Sequence, residues 1–271
     1  MVWSCSMFLN ELDVLEIRLA ELADVVDVFV LVEATSTHMG DPRTLVFPKY
    51  EDTRFLPWKD QIRYLAIDFP EGMGNWQREN YQRTQAGLAM EDLQQDDLVI
   101  ISDLDEILSA ETVRRILAGE FPIPCNLSFP IHPYRLDWKW DILEDGFNRC
   151  TLIHGSDLEK VENGFAGIHE AMVNNNMIGR PGRIGLVGDY GWHFTYIGNE
   201  HRIVDKAESI ADDWVKGVAT LDKAKLAIET GVDVFGRKDR PSSRVPLSEL
   251  PQYVQDNQEK FAHILGGLDA G

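Results

Sequence analysis

Leu98-Val99-Ile100-Ile101-Ser102-Asp103-Leu104-Asp105-Glu106 sets a four-residue aliphatic run directly before an acidic D-x-D triplet. The run is too short for a helix and lacks polar alternation, so it reads as a strand buried on both faces. Ligands of open parallel sheets bind outside the carboxyl ends of the strands, which places Asp103 and Asp105 at an expected ligand site. Strand alternation is expected to turn both carboxylates to one side and Leu104 to the other. Two such carboxylates suit one hard cation that also takes pyrophosphate oxygens, and an all-oxygen site fits Mg²⁺ or Mn²⁺ better than zinc. The competing reading, a solvated acidic turn ahead of a helix, is weakened by the apolar strand.

Working outward, Ser109 is a helix N-cap, the helix it opens runs to Leu117, and Gly119 ends it. Upstream, residues 2–9 form a short strand, and Asn10 caps a helix with Asp13 three residues on. Leu12, Leu15, Leu19 and Leu22 share one face of that helix. The β-branched run over 25–32, ending at Glu33, completes a βαβ unit and implies a parallel sheet. Residues 62–67 form a third strand, and Asn75 opens a helix to about Leu93. Beyond residue 120 the texture changes. Pro122, Pro124, Pro130 and Pro133 punctuate strand-like segments, 151–153 is another strand, and glycines cluster from Gly164 to Gly198. Helical spacing returns at Ile203, Ala207, Ile210 and Trp214, and residues 253–265 form a closing helix. The expectation is an α/β fold with a mostly parallel sheet and helices on both faces. Residues 1–120 form a nucleotide-binding half and 121–271 a smaller, loop-rich acceptor-binding half with C-terminal helices, within one compact domain.

The 271 residues carry 26 Lys and Arg against 45 Asp and Glu, a net charge of −19. Such a field repels phosphate backbones and anionic lipid, so nucleic acid is excluded as a partner, and phosphorylated ligands need local arginines and a metal. Cys5, Cys125 and Cys150 are odd in number and widely spaced, which fits neither a disulfide framework nor a zinc site. With no basic leader and no apolar stretch long enough to span a bilayer, a cytoplasmic location is expected.

Several segments together resemble glycosyltransferase family 17. They are Phe8-Leu9-Asn10-Glu11-Leu12-Asp13 with Leu15-Glu16-Ile17-Arg18-Leu19, Val30-Leu31-Val32-Glu33, Arg78-Glu79, the stretch Ile100 to Glu106, and Gly191-Trp192-His193-Phe194. The resemblance implies a GT-A-type fold, a UDP-sugar donor, N-acetylglucosamine transfer to a carbohydrate acceptor, Mn²⁺ or Mg²⁺, and inversion at the anomeric carbon. It also implies roles for single residues. Phe8 and Asn10 would hold uracil, and Glu33 would accept from uracil or ribose. Arg78 would reach the diphosphate, with Arg83 a weaker candidate because Glu79 lies four residues before it. His193 would join Asp103 and Asp105 in the metal shell. Trp138, Trp140 and Trp192 offer flat faces to a sugar or pack in the core. Inversion needs a carboxylate base, and Glu170 and Asp189 are the candidates. A haloacid-dehalogenase-type phosphatase is the nearest rival enzyme, but Glu106 and Ile107 follow the D-x-D where that class has Thr or Val. A non-catalytic carbohydrate-binding module would use the tryptophans and leave the acidic pair without a purpose.

Overall fold

Four strands run parallel at the heart of the sheet: β1 (Val2–Phe8), β2 (Val28–Ala34), β3 (Ile62–Ile67) and β4 (Leu98–Ile101), in the order β4-β1-β2-β3. The computed structural model describes residues 1–141, 150–158, 164, 176–177, 180–181 and 185–266. After β4 come β5 (Glu106–Leu108), β6 (Cys125–Ser128), β7 (Ile131–Pro133), β8 (Trp138–Trp140) and β9 (Cys150–His154). β9 lies antiparallel to both β4 and β6, and Gly185–Val187 pairs parallel with β6, so one seven-stranded sheet draws strands from both sides of residue 120.

Alternation along the central strands explains the two cores. Phe29, Leu31, Leu98 and Ile100 face α1 (Leu12–Leu22) and α3 (Ala110–Leu117), packing with Leu15, Leu19, Val113 and Ile116. Val28, Val30, Val32, Val99 and Ile101 face the other way, against Ala86 and Met90, which follow α2 (Asn75–Gln85). Every residue of β2 and β4 is buried, as expected for strands covered on both faces. A third cluster joins Ile203, Ala207, Ala224, Ala227 and Val234 around Tyr134 in the C-terminal part.

Ser109 caps α3 by accepting from the Thr112 amide, and Gly119, at φ 81°, follows its end, as the spacing predicts. Other expectations need correction. Asn10 does not cap α1. Glu11 holds that position, and its carboxylate folds back to accept from the amides of Leu9 and Asn10. α2 stops at Gln85 and passes into a 3₁₀ turn over Ala86–Ala89. The closing helix breaks into Gln252–Asp256, Gln258–Phe261 and Ala262–Ile264. β4 ends at Ile101, so Asp103 and Asp105 sit in a turn, and strand alternation is not what orients them.

His132, on β7, is buried with its ring edge-on to Phe194 and its Nδ1 2.7 Å from the Leu136 carbonyl, a contact that requires Nδ1–H as donor. Burial pushes its pKa from 6.5 down to about 4, so it is neutral in the folded protein. The unfolded chain takes up that proton first, hence stability is complete above pH 6.5 and is lost as pH falls from there towards 4. Urea unfolding at pH 7 and pH 4.5 should show wild type losing roughly 2 to 3 kcal/mol more than His132→Asn. An identical acid loss in the two proteins would show that other groups carry it.

Candidate active site

At the carboxyl ends of the parallel strands lies a cavity of about 620 Å³, within the size range of small-molecule sites. Its floor is the 102–105 turn, and that turn is held from behind by Arg18 of α1. Arg18 is 1% exposed. Its Nη1 donates to the carbonyls of Asp103 (3.1 Å), Leu104 (3.3 Å) and Glu106 (2.8 Å), and its Nη2 to the hydroxyls of Ser4 and Ser102, both at 2.9 Å. The Glu106 amide closes the turn onto the Asp103 carbonyl at 3.0 Å, and Glu106 Oε2 accepts from the Asp103 amide at 3.2 Å.

β5 leaves this turn and pairs antiparallel with Gly191–Thr195, which sets His193 opposite Glu106 and lets the Phe194 amide donate to the Asp105 carbonyl at 2.8 Å. The approach is close enough that a Cβ on Gly191 would lie 2.0 Å from the Ile107 carbonyl oxygen, so this position requires glycine for space. On the far side the helix Glu200–Ser209, capped by Asn199, carries Lys206 to the turn. Lys206 Nζ donates to Asp105 Oδ2 at 2.5 Å and lies 3.9 Å from Glu11 Oε1 and 5.4 Å from the Tyr196 ring centroid. His193 Nε2 is 3.6 Å from Asp105 Oδ1. From α2, Arg83 bridges Asp103 Oδ1 and Glu79 Oε1, each at 3.0 Å.

Burial opposes the charge on Lys206, but Asp105 and Glu11 overcome it and raise its pKa. Arg83 is held charged in the same way by Asp103 and Glu79. His193 goes down, first through burial and then through Lys206, so it presents a neutral imidazole. The donor chemistry, two carboxylates and a neutral imidazole around one turn, suits a hard divalent ion in kind. Among the described residues no three such groups are drawn together, because Lys206 and Arg83 hold the carboxylates. A metal ion would take Asp105 in exchange for Lys206.

Phe8, Arg83, Asp103, Asp105 and His193 are brought together on the cavity wall. Asn10, Glu33, Arg78 and Asp189 do not line it. Glu33 is fully buried and holds the following loop, accepting from Arg43, the amides of Val46 and Phe47, and the Tyr64 hydroxyl. Arg78 donates to the His38 carbonyl at 2.9 Å and braces the loop at Gly40. Asp189 is exposed, and Glu170 lies outside the described residues. Trp138 and Trp140 are buried under the guanidiniums of Arg244 and of Arg237 and Arg240. Trp192 stacks on Phe194 and donates to the Glu249 carbonyl at 2.8 Å. Sequence reasoning gave no site role to Arg18, Lys206, Trp76, Asp212 and Trp214, and Trp214, read there as continuing a helical face, lies in the 3₁₀ turn Asp213–Val215 beyond the end of that helix at Ser209. For Arg18 a signal existed, a charged residue one position before Leu19 on a helix whose faces are otherwise committed to the sheet. Lys206 looks like any helical lysine.

Fold and cavity define an α/β protein whose ligand site lies at the carboxyl ends of a mostly parallel sheet, walled by paired acids and bases. A family model described as glycosyltransferase family 17 matches residues 1–151. The β-1,4-mannosyl-glycoprotein 4-β-N-acetylglucosaminyltransferases of Rattus norvegicus and Homo sapiens are each 37% identical over 287 residues, covering 94% of this chain and 53% of theirs. The chain belongs to glycosyltransferase family 17, and it spans about half the length of the curated relatives it matches. A solved structure of 4-diphosphocytidyl-2C-methyl-D-erythritol synthase is more distant, with a TM-score of 0.39 and 14% identity over 69% of this chain and 90% of that one.

Arg18→Met removes one charged donor group from three carbonyls and two hydroxyls. Leaving buried acceptors unmet should cost on the order of 3 kcal/mol in urea unfolding. A loss below about 1 kcal/mol would mean that the turn is held by its own hydrogen bonds.

Proposed function

We propose that this chain moves N-acetylglucosamine from a UDP-sugar to a hydroxyl of a mannose-containing glycan, with inversion and with the help of Mn²⁺ or Mg²⁺. The observation that carries the reading is the turn at the carboxyl end of β4, whose two aspartates face Arg83, Lys206 and His193 across one cavity. The names of the relatives supply the sugar and the acceptor class.

A chain of net charge −19 must gather positive charge locally before it can hold a diphosphate. Arg83 and Lys206 do this at the cavity, and both are kept protonated by acids of the protein. As the bond between the anomeric carbon and the phosphate oxygen breaks, negative charge grows on the leaving diphosphate, and cations held beside it stabilise that charge. A divalent ion held by Asp103, Asp105 and His193 would supply Lewis-acid stabilisation of the same charge. Phe8, 1% exposed and edge-on to Phe47 at 6.4 Å, backs the cavity wall from within the core and leaves little ring surface for a base to stack on.

Asp103, with 47% of its side chain exposed, is the better probe of the pair, because Arg83 keeps Glu79 at 3.0 Å when Asp103 is neutralised, whereas beside Asp105 Lys206 has only Glu11 at 3.9 Å. Asp103→Asn should change stability by less than about 1 kcal/mol, yet lower transfer from UDP-N-acetylglucosamine at least about 100-fold. Wild-type turnover in that variant, or no UDP binding by the wild-type chain with Mn²⁺, would refute the reading.

A further inference from the structure

Six carboxylates line the cavity among the described residues: Glu11, Glu79, Asp103, Asp105, Glu106 and Asp212. Five are engaged. Glu11 accepts from the amides of Leu9 and Asn10 and faces Lys206. Glu79 and Asp103 share Arg83, Asp105 holds Lys206, and Glu106 is buried and accepts from the Asp103 amide. The Asp212 carboxylate has no hydrogen bond or ion pair among the described residues, although it is half-buried on the cavity wall. A general base must keep its oxygens free for the proton it takes, and of these six only Asp212 meets that condition.

Its surroundings point to what delivers that proton. Trp214, two residues on, lines the same cavity with 53% of its surface exposed. Its indole is fixed by the edge of Phe235 at 5.3 Å and by the Arg237 guanidinium at 5.7 Å, which Asp233 anchors at 2.6 Å. Across the cavity mouth, Asn75 Nδ2 donates to Asp213 Oδ1 at 2.7 Å, joining the start of α2 to the 3₁₀ turn Asp213–Val215. Trp76, next to Asn75, also lines the cavity and is likewise 53% exposed. Each exposed indole therefore neighbours one end of this helix-to-turn hydrogen bond, and open aromatic faces of this kind suit the apolar C–H faces of pyranose rings. Buried large aromatics would be ordinary, but two left open at a polar cavity indicate a ligand with flat apolar faces.

We infer that the rim formed by Trp214 and Trp76 is the acceptor-sugar site and that Asp212 is the catalytic base, an assignment that rests on the glycosyl-transfer reading above. The acceptor oxygen bonds to the anomeric carbon, the bond from that carbon to the phosphate oxygen breaks with its electron pair leaving on UDP, and the acceptor hydroxyl proton passes to an Asp212 oxygen. Partial burial and the neighbouring Asp213 raise the basicity of Asp212 above that of an ordinary aspartate, which suits this role.

The test uses the full chain with Mn²⁺, UDP-N-acetylglucosamine as donor and β-1,4-mannosyl-N-acetylglucosamine as acceptor. Asp212→Asn should lower kcat at least about 100-fold with UDP affinity by calorimetry unchanged. Trp214→Ala should raise the acceptor KM about tenfold, and Trp214→Phe should recover most of that loss. An Asp212→Asn enzyme within about threefold of wild-type kcat overturns the base assignment. Turnover and UDP affinity lost in parallel overturn it as well, since they would put Asp212 on the donor side. A wild-type chain that binds no UDP sinks the transferase reading itself. One that binds UDP but shows no saturable tryptophan-fluorescence change with the disaccharide leaves that reading standing and removes the acceptor site.

Discussion

The buried guanidinium of Arg18 ties together three parts of the chain that must agree before a site exists. It reaches Ser4 on β1, Ser102 at the end of β4, and the carbonyls of the turn that carries Asp103 and Asp105. A turn of two aspartates at the end of a fully buried strand is not stable by itself, because its carbonyls lie too deep for water and its carboxylates repel. A planar fork with several N–H groups meets those carbonyls at once and supplies positive charge behind the acids. Lysine could not do this from the same helix position, since its single ammonium has no fixed spread of donors. α1 is thus both a cover for the sheet and the part that gives the turn its shape.

In front of the turn the same problem is solved by two other cations from distant parts of the sequence. Lys206 and Arg83 take one aspartate each, and each is in turn shared with a second acid, Glu11 or Glu79. The result is a chain of alternating charges around the cavity, which keeps buried ions paired whether or not a ligand is present. It also sets the terms on which an anionic ligand binds: a diphosphate competes with carboxylates already in place for the same cations. A strongly acidic protein needs this kind of local arrangement, because its overall field opposes the ligand at distances below the Debye length.

Much of this was legible in the sequence, for physical reasons that also mark where reading stops. The run 98–101, the Ser109 cap and Gly119 are local signals, and all three hold. His193 was placed near the aspartates only through family resemblance. Its structural cause is the antiparallel register of β5 with Gly191–Thr195, a pairing across more than 80 residues that no local pattern encodes. The aromatic residues show the limit most clearly. Trp138 and Trp140 lie on one strand, both buried, while Trp76 and Trp214 lie in a first helical turn and a 3₁₀ turn and are open. Residue type announces a platform, but only the fold decides which indoles are left free: Arg237 lies over both Trp140 and Trp214, yet Trp140 is buried and Trp214 is open. Asp212 was invisible for the opposite reason, since what distinguishes it is the lack of a side-chain hydrogen bond or ion pair among the described residues.

The sheet itself explains how one cavity draws its walls from distant parts of the chain. β1, β2, β3 and β4 run parallel and end on the same side, which makes one wall, while β5 turns away from β4 and joins a separate three-stranded sheet with β7 and Gly191–Thr195. The D-x-D turn is therefore the hinge point between the two sheets, and residues brought by the second sheet and the helix after it, His193 and Lys206, necessarily meet those of the first there. The 3₁₀ turn of Trp214 follows that helix within a few residues. Any displacement of the second sheet would move imidazole, ammonium and indole together relative to the aspartates. Gly191 fixes that distance, because its missing side chain allows the strand to sit against the Ile107 carbonyl, and a residue with a Cβ would push the strand that carries His193 away from the acids.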